Sequence, residues 1–377
     1  MISIFKNKNK ILALLLFSAT VSILVFAGQR HLLGRQKWEA EESGSVNADT
    51  TSSEIHFSNT PSSTPALSAK KEEEEPLRFL FWGDMMLDRN VGRIIEEKGL
   101  DHLLENIKLP ARYDMVSANL EGAVTEKGKH YPPHNSYDFA FDPSLIGRLY
   151  EYGFTFFNIA NNHLTDQGRQ GVRETEDNLE ELGFAYVGCP DGEVGECSGK
   201  IINIKGKDVG MAGFSLVYSR IDKEKTADVI KELHNDSDLV VVNVHWGVEY
   251  KHNINSIQAE MAHSFVDAGA DIVIGHHPHV IQGMEIYKRK PIFYSLGNFI
   301  FDQYFSTDTQ EGLAVDIEID NNQFNIKLHP FKARGSQIKF TTDKDKDRIL
   351  ERFISWSNIE SDIEDSLQAG RVSIIQN

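Results

Sequence analysis

The chain has 377 residues, 40% of them hydrophobic and 10% aromatic, which is enough apolar side chain for a sizeable folded core. Its 56 acidic against 39 basic residues give a net charge of -17, which would repel a phosphate backbone and excludes a general nucleic-acid binder. Two cysteines, Cys189 and Cys197, are too few for a disulfide-dense scaffold or a four-thiolate zinc site.

Residues 11–28, ILALLLFSATVSILVFAG, carry no charge, and as a helix they would reach roughly 27 Å, close to one hydrocarbon core. We expect a retained transmembrane anchor; the alternative is a cleaved signal peptide, for which Val25-Phe26-Ala27 resembles a small-residue cleavage site. Lys6, Lys8 and Lys10 precede the run and Arg30, Arg35 and Lys37 follow it, so the flanking charges nearly balance. A short basic tail over 1–10 has the form of a signal anchor that stays inside. The expected location is therefore the cell membrane, single-pass, with the globular part outside the cytoplasm. Residues 29–75, rich in Ser and Thr and closing on KKEEEE, read as a disordered stalk with a solvated charge block.

After Pro76 short apolar runs alternate with amphipathic stretches. Strands are expected at 77–82 (LRFLFW), 113–120 (YDMVSANL), 155–160 (TFFNIA), 239–244 (LVVVNV) and 271–275 (DIVIG). Helices are expected at 169–182, presenting Val172, Leu179 and Leu182, and at 256–268, presenting Ile257, Met261 and Phe265. The alternation predicts an α/β domain with helices over a largely parallel or mixed sheet. Runs at 284–288, 292–296, 313–319 and 324–328 read as a meander in a second sheet, followed by a helix at 348–356. The expected limits are a domain over 76–335 and a C-terminal extension over 336–377.

Residues with metal-ligand chemistry stand where the apolar strands end: Asp84, Asn119 and Glu121, Asn161-Asn162-His163, His245, and His276-His277-Pro278-His279. The crevice beyond the carboxyl ends of parallel strands is where ligands bind in open α/β sheets, so one convergent site is expected. Carboxylate, amide oxygen and imidazole without thiolate suit a divalent ion such as Mn, Zn or Fe, with one or two ions held. His277 and His279 lie two apart and would share a face in an extended segment, with His276 pointing away as a structural residue. Cys189 and Cys197 bracket the turn-rich CPDGEVGEC, which leaves open either a small disulfide or two free thiols.

FWGDMMLDR, NLEGAVT, ANNHLTDQG, HWGVEY, GHHPHV and YSLGNFIFD, in that order, resemble the CapA/PgsA family of poly-γ-glutamate capsule-biosynthesis proteins, similar in fold to calcineurin-like metallophosphoesterases. The resemblance spans residues 77–331. It implies a four-layer α/β/β/α sandwich, metallophosphoesterase-like, with the site at the sheet edges and the domain held by an N-terminal transmembrane anchor. Carried across residue by residue, it implies one ion on Glu121, Asn162, His245 and His277, and a second on Asp84, Glu121 and His279. The phosphoesterase pattern opens with Asp-x-His, whereas Met86 stands at the third position here; a thioether is a poor ligand for a hard ion, so the second set is one ligand short. His163 is expected as general acid, oriented by Asp166, which has a helix-capping role as its alternative. Arg89, Glu249, Asn298 and Asp302 are expected at the rim as substrate-binding residues.

The function implied is a surface-anchored component of poly-γ-glutamate synthesis or export that works with other membrane components of a polyglutamate synthase complex. The alternatives are a stand-alone extracytoplasmic metal-dependent hydrolase, or a non-catalytic assembly scaffold. The substrate would be an acidic polymer or a phosphoester. No Walker loop, G-x-S-x-G elbow or G-x-G-x-x-G turn occurs.

Overall fold

A computed structural model describes residues 75–107, 113–321 and 323–376. The expected tail and anchor, and all but the last residue of the expected stalk, fall outside them. Among the described residues no helix is long and apolar enough to cross a membrane.

The first half of the domain runs β1 (Leu77–Met85), α1 (Arg89–Lys98), α2 (Asp101–Leu104), β2 (Met115–Leu120), β3 (Ala123–Val124), β4 (Ala140–Phe141), α3 (Pro143–Gly147), β5 (Phe156–Asn158), α4 (Gly168–Glu181), β6 (Ala185–Val187), β7 (Gly199–Ile204) and β8 (Lys207–Ser215). The second half runs α5 (Lys223–Asp236), β9 (Leu239–His245), α6 (Ser256–Ala268), β10 (Ile272–His276), β11 (Met284–Tyr287), β12 (Lys290–Phe293), β13 (Asn298–Ile300), β14 (Glu311–Asp320), β15 (Gln323–Arg334), β16 (Gln337–Phe340), α7 (Asp343–Ser355), α8 (Ser361–Gln368) and β17 (Arg371–Ile375).

Two large sheets result. The nine-stranded sheet has the order β16-β15-β14-β1-β2-β5-β6, with β13 added to β1 and β17 to β15. Its strands β1, β2, β5 and β6 run parallel, and β14 to β16 extend it antiparallel. The six-stranded sheet has the order β11-β12-β10-β9-β8-β7, parallel through β8, β9, β10 and β12 with an antiparallel strand at each edge.

Strand alternation sorts the core into three layers of side chains. Phe79, Phe81 and Phe156 of one sheet and Val209, Met211, Val241, Ile272 and Ile274 of the other fill the space between them. Leu80, Trp82, Val116, Ala118 and Phe157 face outward under Val91 of α1 and Leu179 of α4. Val240, Val242 and Val244 lie under Ile230 and Leu233 of α5 and Met261 and Phe265 of α6. The mixed α/β class expected from the alternation is therefore present, with strands buried on both faces as parallel strands under helices must be.

Several expectations need correction. The C-terminal meander does not form one sheet: β11 and β12 close the edge of the six-stranded sheet, whereas β13 to β16 join the nine-stranded one. β11 and β12 are joined by a turn at Lys288-Arg289, both at positive φ. Residues 336–377 are no appendage, since β17 pairs with β15 from Gln323↔Ile375 to Lys327↔Arg371 and Leu350 and Phe353 of α7 are buried in the inter-sheet core. On α6 Ile257 faces solvent, because Gln258 at N3 turns inward to close a capping box with Asn255.

Candidate metal centre

Five parallel strands end along one edge and deliver the polar residues there: Asp84 in β1, Glu121 after β2, Asn161 to His163 after β5, His245 closing β9, and His276 to His279 after β10. Two glycines let the backbone close in behind them. A Cβ on Gly83 would lie 1.8 Å from the Gly297 carbonyl oxygen, and one on Gly275 would lie 2.0 Å from that of Tyr294. The first approach carries the bond in which Asp84 N donates to Gly297 O (3.0 Å).

The residues expected on the first ion come together. His245 Nε2 lies 2.8 Å from Asn162 Oδ1 and 3.2 Å from His277 Nδ1. On the other side of the ring, His245 Nδ1 faces Asn119 Nδ2 at 3.2 Å, and an amide nitrogen can only donate. The ring therefore carries its proton on Nε2, assigned from these partners, and three ligand-type atoms converge on that one hydrogen.

The residues expected on the second ion meet differently. His279 Nδ1 lies 3.3 Å from Asp84 Oδ2 and 3.0 Å from Asn298 Oδ1, which makes it a donor and leaves Nε2 facing Glu121 Oε1 at 3.7 Å. Asp84 Oδ2 also accepts from the His277 backbone N (3.2 Å). Asp84, Glu121 and His245 place one ligand atom each within 4.8 Å of one another. Met86 stands outside the cluster: it is buried in the outer core, and its Sδ accepts from Asp88 N (3.1 Å).

Burial dominates the electrostatics. It lifts the Glu121 carboxyl to about 7, with His279 acting against the rise and the Asp84 charge adding to it. Burial also acts to raise Asp84, yet the hydrogen bond from His279 and the neighbouring imidazoles carry it below the usual carboxylate range. His279 moves up to about 9: burial opposes the shift, and Glu121 and Asp84 outweigh it. His245, His276 and His277 move the other way through burial, His276 to about 4 and His277 to about 3. Among the described residues Glu121 Oε1 is buried with no hydrogen-bond partner, although His163 Nε2 and His279 Nε2 each stand 3.7 Å away.

His163 Nδ1 lies 2.7 Å from Asp166 Oδ2, which also accepts from Phe139 N (2.9 Å), and the Phe139 ring packs on the imidazole at 4.4 Å between centroids. Asp166 thus fixes the ring and leaves Nε2 aimed at the cluster. The expected rim residues divide. Glu249 is exposed and Arg89 is half-exposed, its guanidinium 3.0 Å from Asp302 Oδ1 and over the rings of Tyr137 and Phe139. Asn298 and Asp302 lie beneath the rim, 1% and 5% exposed. Neighbours use their polar atoms: Asn298 Nδ2 donates to Gln303 Oε1 and Thr309 O, and Asp302 Oδ2 accepts from Asn90.

His276 does not point away. It registers with His245 across β9 and β10, and its buried Nδ1 sits 3.6 Å from Asp84 Oδ1. Alternation fails because the backbone leaves the strand at His277, at φ 96°, and turns again at His279, at φ 56°. Asn119, expected at the strand ends but given no role by the sequence, takes a central one. Its Nδ2 donates to Asp84 Oδ1 (2.8 Å), and its Oδ1 accepts from Asn158 Nδ2 (2.9 Å) and Asn161 Nδ2 (3.3 Å). The signal was there: two residues before Glu121 on an extended run, it shares that residue's face. Cys189 and Cys197 form a disulfide, which closes the alternative of free thiols.

A two-sheet α/β domain with carboxylate, amide and imidazole donors gathered where its parallel strands end is a metallophosphoesterase-like protein. The chain belongs to the bacterial capsule synthesis protein PGA_cap family, whose model matches residues 78–303. It is 33% identical over 304 residues to the capsule biosynthesis protein CapA of Bacillus anthracis, covering 74% of this chain and 73% of that one. To the PGA biosynthesis protein CapA of Bacillus subtilis it is 32% identical over 321 residues, covering 78% and 82%. A probable polyglutamine synthesis accessory protein of Mycobacterium tuberculosis is 23% identical, covering 73% of this chain and 91% of the relative.

Proposed function

We propose that this chain is a membrane-anchored, extracytoplasmic accessory protein of poly-γ-glutamate capsule synthesis whose metal centre hydrolyses a phosphoester. The family and the names of its relatives support the capsule role. The apolar run at 11–28 supports the anchor, and other membrane components of a polyglutamate synthase would be its partners.

The observation that carries the hydrolytic reading is Glu121 Oε1, a buried carboxylate oxygen without a hydrogen bond between two imidazoles. A buried carboxylate oxygen without a hydrogen bond is costly, and a cation there would satisfy it. Glu121, Asn162, His245 and His277 would hold one ion of Mn, Zn or Fe, and Asp84, Glu121 and His279 a second and weaker one. A bound ion supplies Lewis acidity at the reacting phosphoryl group. Asp166 holds His163 Nδ1, so that Nε2 can keep a proton and give it to a leaving oxygen. Asn119 fixes the Asp84 carboxylate and the His245 ring at once, and Asn298 orients His279.

The test is turnover of bis(p-nitrophenyl) phosphate by the purified full chain supplied with Mn, Zn or Fe(II). Metal-dependent turnover should fall roughly 100- to 10,000-fold in His163→Ala, the usual worth of one proton-transfer group. Equal turnover in the variant, or none above background in the wild type, would count against the hydrolytic reading. The turned-away Met86 thioether favours one other role, an assembly scaffold that keeps the fold without the chemistry.

A further inference from the structure

Among the described residues, four of the five exposed large aromatic side chains lie on loops around the metal centre. Tyr137 lies between β3 and β4, Tyr218 between β8 and α5, Tyr250 between β9 and α6, and Phe305 between β13 and β14. These four loops come from both sheets. Tyr218 is 78% exposed and Phe305 67%, yet each is tied to the site. The Tyr218 hydroxyl lies near the Asn162 side chain. The Tyr250 ring stands 6.2 Å from that of His279 and meets Phe305 edge to face at 5.1 Å. Arg89 lies over both the Tyr137 ring and the Phe139 ring that packs on His163. An exposed patch of this kind around a polar centre marks a binding surface, since water gives the rings nothing in return.

We propose that these four rings form a stacking rim for sugar, so that the group flanking the bond cleaved at the metal centre is a glycan and not the polyglutamate chain. This rests on the hydrolytic reading above and names its substrate class. A γ-linked glutamate chain has no ring face to lay on the aromatics. Its repeated carboxylates would meet exposed Glu249 at the rim of a chain of net charge -17. At the rim Arg89 is already paired with Asp302. A pyranose with equatorial hydroxyls has two chemically different aspects. Its axial C–H bonds make an apolar face suited to an aromatic ring, and the hydroxyls around its edge suit acceptors and donors such as Glu249 and Gln303. Both of those stand beside Tyr250: Glu249 precedes it in the chain, and Gln303 Nε2 donates to Tyr250 Oη (3.2 Å).

Titration calorimetry on the purified full chain tests this with three probes: a β-1,4-linked N-acetylglucosamine hexamer, a γ-linked glutamate hexamer and AMP. The account expects the sugar hexamer to bind more tightly than either other probe. Phe305→Ala and Tyr250→Ala should each weaken it about tenfold, as loss of one stacking partner does, while Tyr250→Trp retains binding. Metal content should be unchanged in the ring variants, which separates failure of the rim from failure of the metal site. Tighter binding of the glutamate hexamer or of AMP would overturn the proposal. So would sugar binding that is undetectable or indifferent to the two alanine substitutions.

Discussion

The two donor sets that meet at Glu121 differ in what holds them together. Asn162, His245 and His277 are neutral, and three of their atoms crowd around a single proton on His245 Nε2. Asp84, Glu121 and His279 carry the charge: one imidazole serves two buried acids, and its proton stands in for a cation. An ion on the first set needs the His245 proton to shift from Nε2 to Nδ1, with the Asn119 amide giving way there, after which three neutral donor atoms face the ion. The second must give up the His279 proton that neutralises its acids, and the third position of its opening motif is a thioether turned into the core. Preorganisation and ligand count both rank the first set above the second.

The sharpest way to break this ranking is to remove His245. His245→Ala should abolish tight metal binding in elemental analysis of the purified full chain, where the wild type holds nearer one ion than two. Retention of the full metal content would dissolve the distinction between the sets. His279→Ala should spare the tightly held ion and lose only the additional binding seen with excess metal in a chelator competition. Loss of the first ion in this variant would mean that the sets act as one. Met86→Ala should leave metal content untouched while lowering unfolding free energy by roughly 2–5 kcal/mol, the usual cost of truncating a fully buried methionine. Denaturant titration with elemental analysis checks both halves, and a metal loss without a stability loss would place Met86 in the site. The smallest effect concerns the loop closed by Cys189 and Cys197, in which Asp191 accepts from Val217 N, Tyr218 N and Ser219 N. Replacing both cysteines by serine should cost roughly 2–3 kcal/mol in the same titration and leave the ion in place.

Much of this was legible before any coordinates. Apolar runs ending in Asp84, Glu121, Asn162, His245 and His277 report parallel strands that stop at one edge, and the short-range rule that apolar runs become strands holds for each. What escaped depends on backbone direction or on long-range partners. The positive φ at His277 turns His276 toward Asp84, against the alternation that an extended segment would keep. The family resemblance puts Asn298 and Asp302 at the rim, but Asn298 opens β13, which lies beside β1, and both residues are buried beneath the surface. The split of the C-terminal strands between two sheets is a matter of pairing, and periodicity within a strand carries no information about its partner.

The central claim is that the centre does chemistry needed for capsule assembly. The measurement that reaches it most directly is polymer yield from cells carrying His163→Ala at matched protein abundance, with metal content checked on the purified chain. The account predicts that the variant keeps its tightly held ion and that polymer yield collapses, because the ring that Asp166 holds toward Glu121 no longer supplies a proton. Normal polymer yield with the ion retained would contradict it and leave a scaffold in its place.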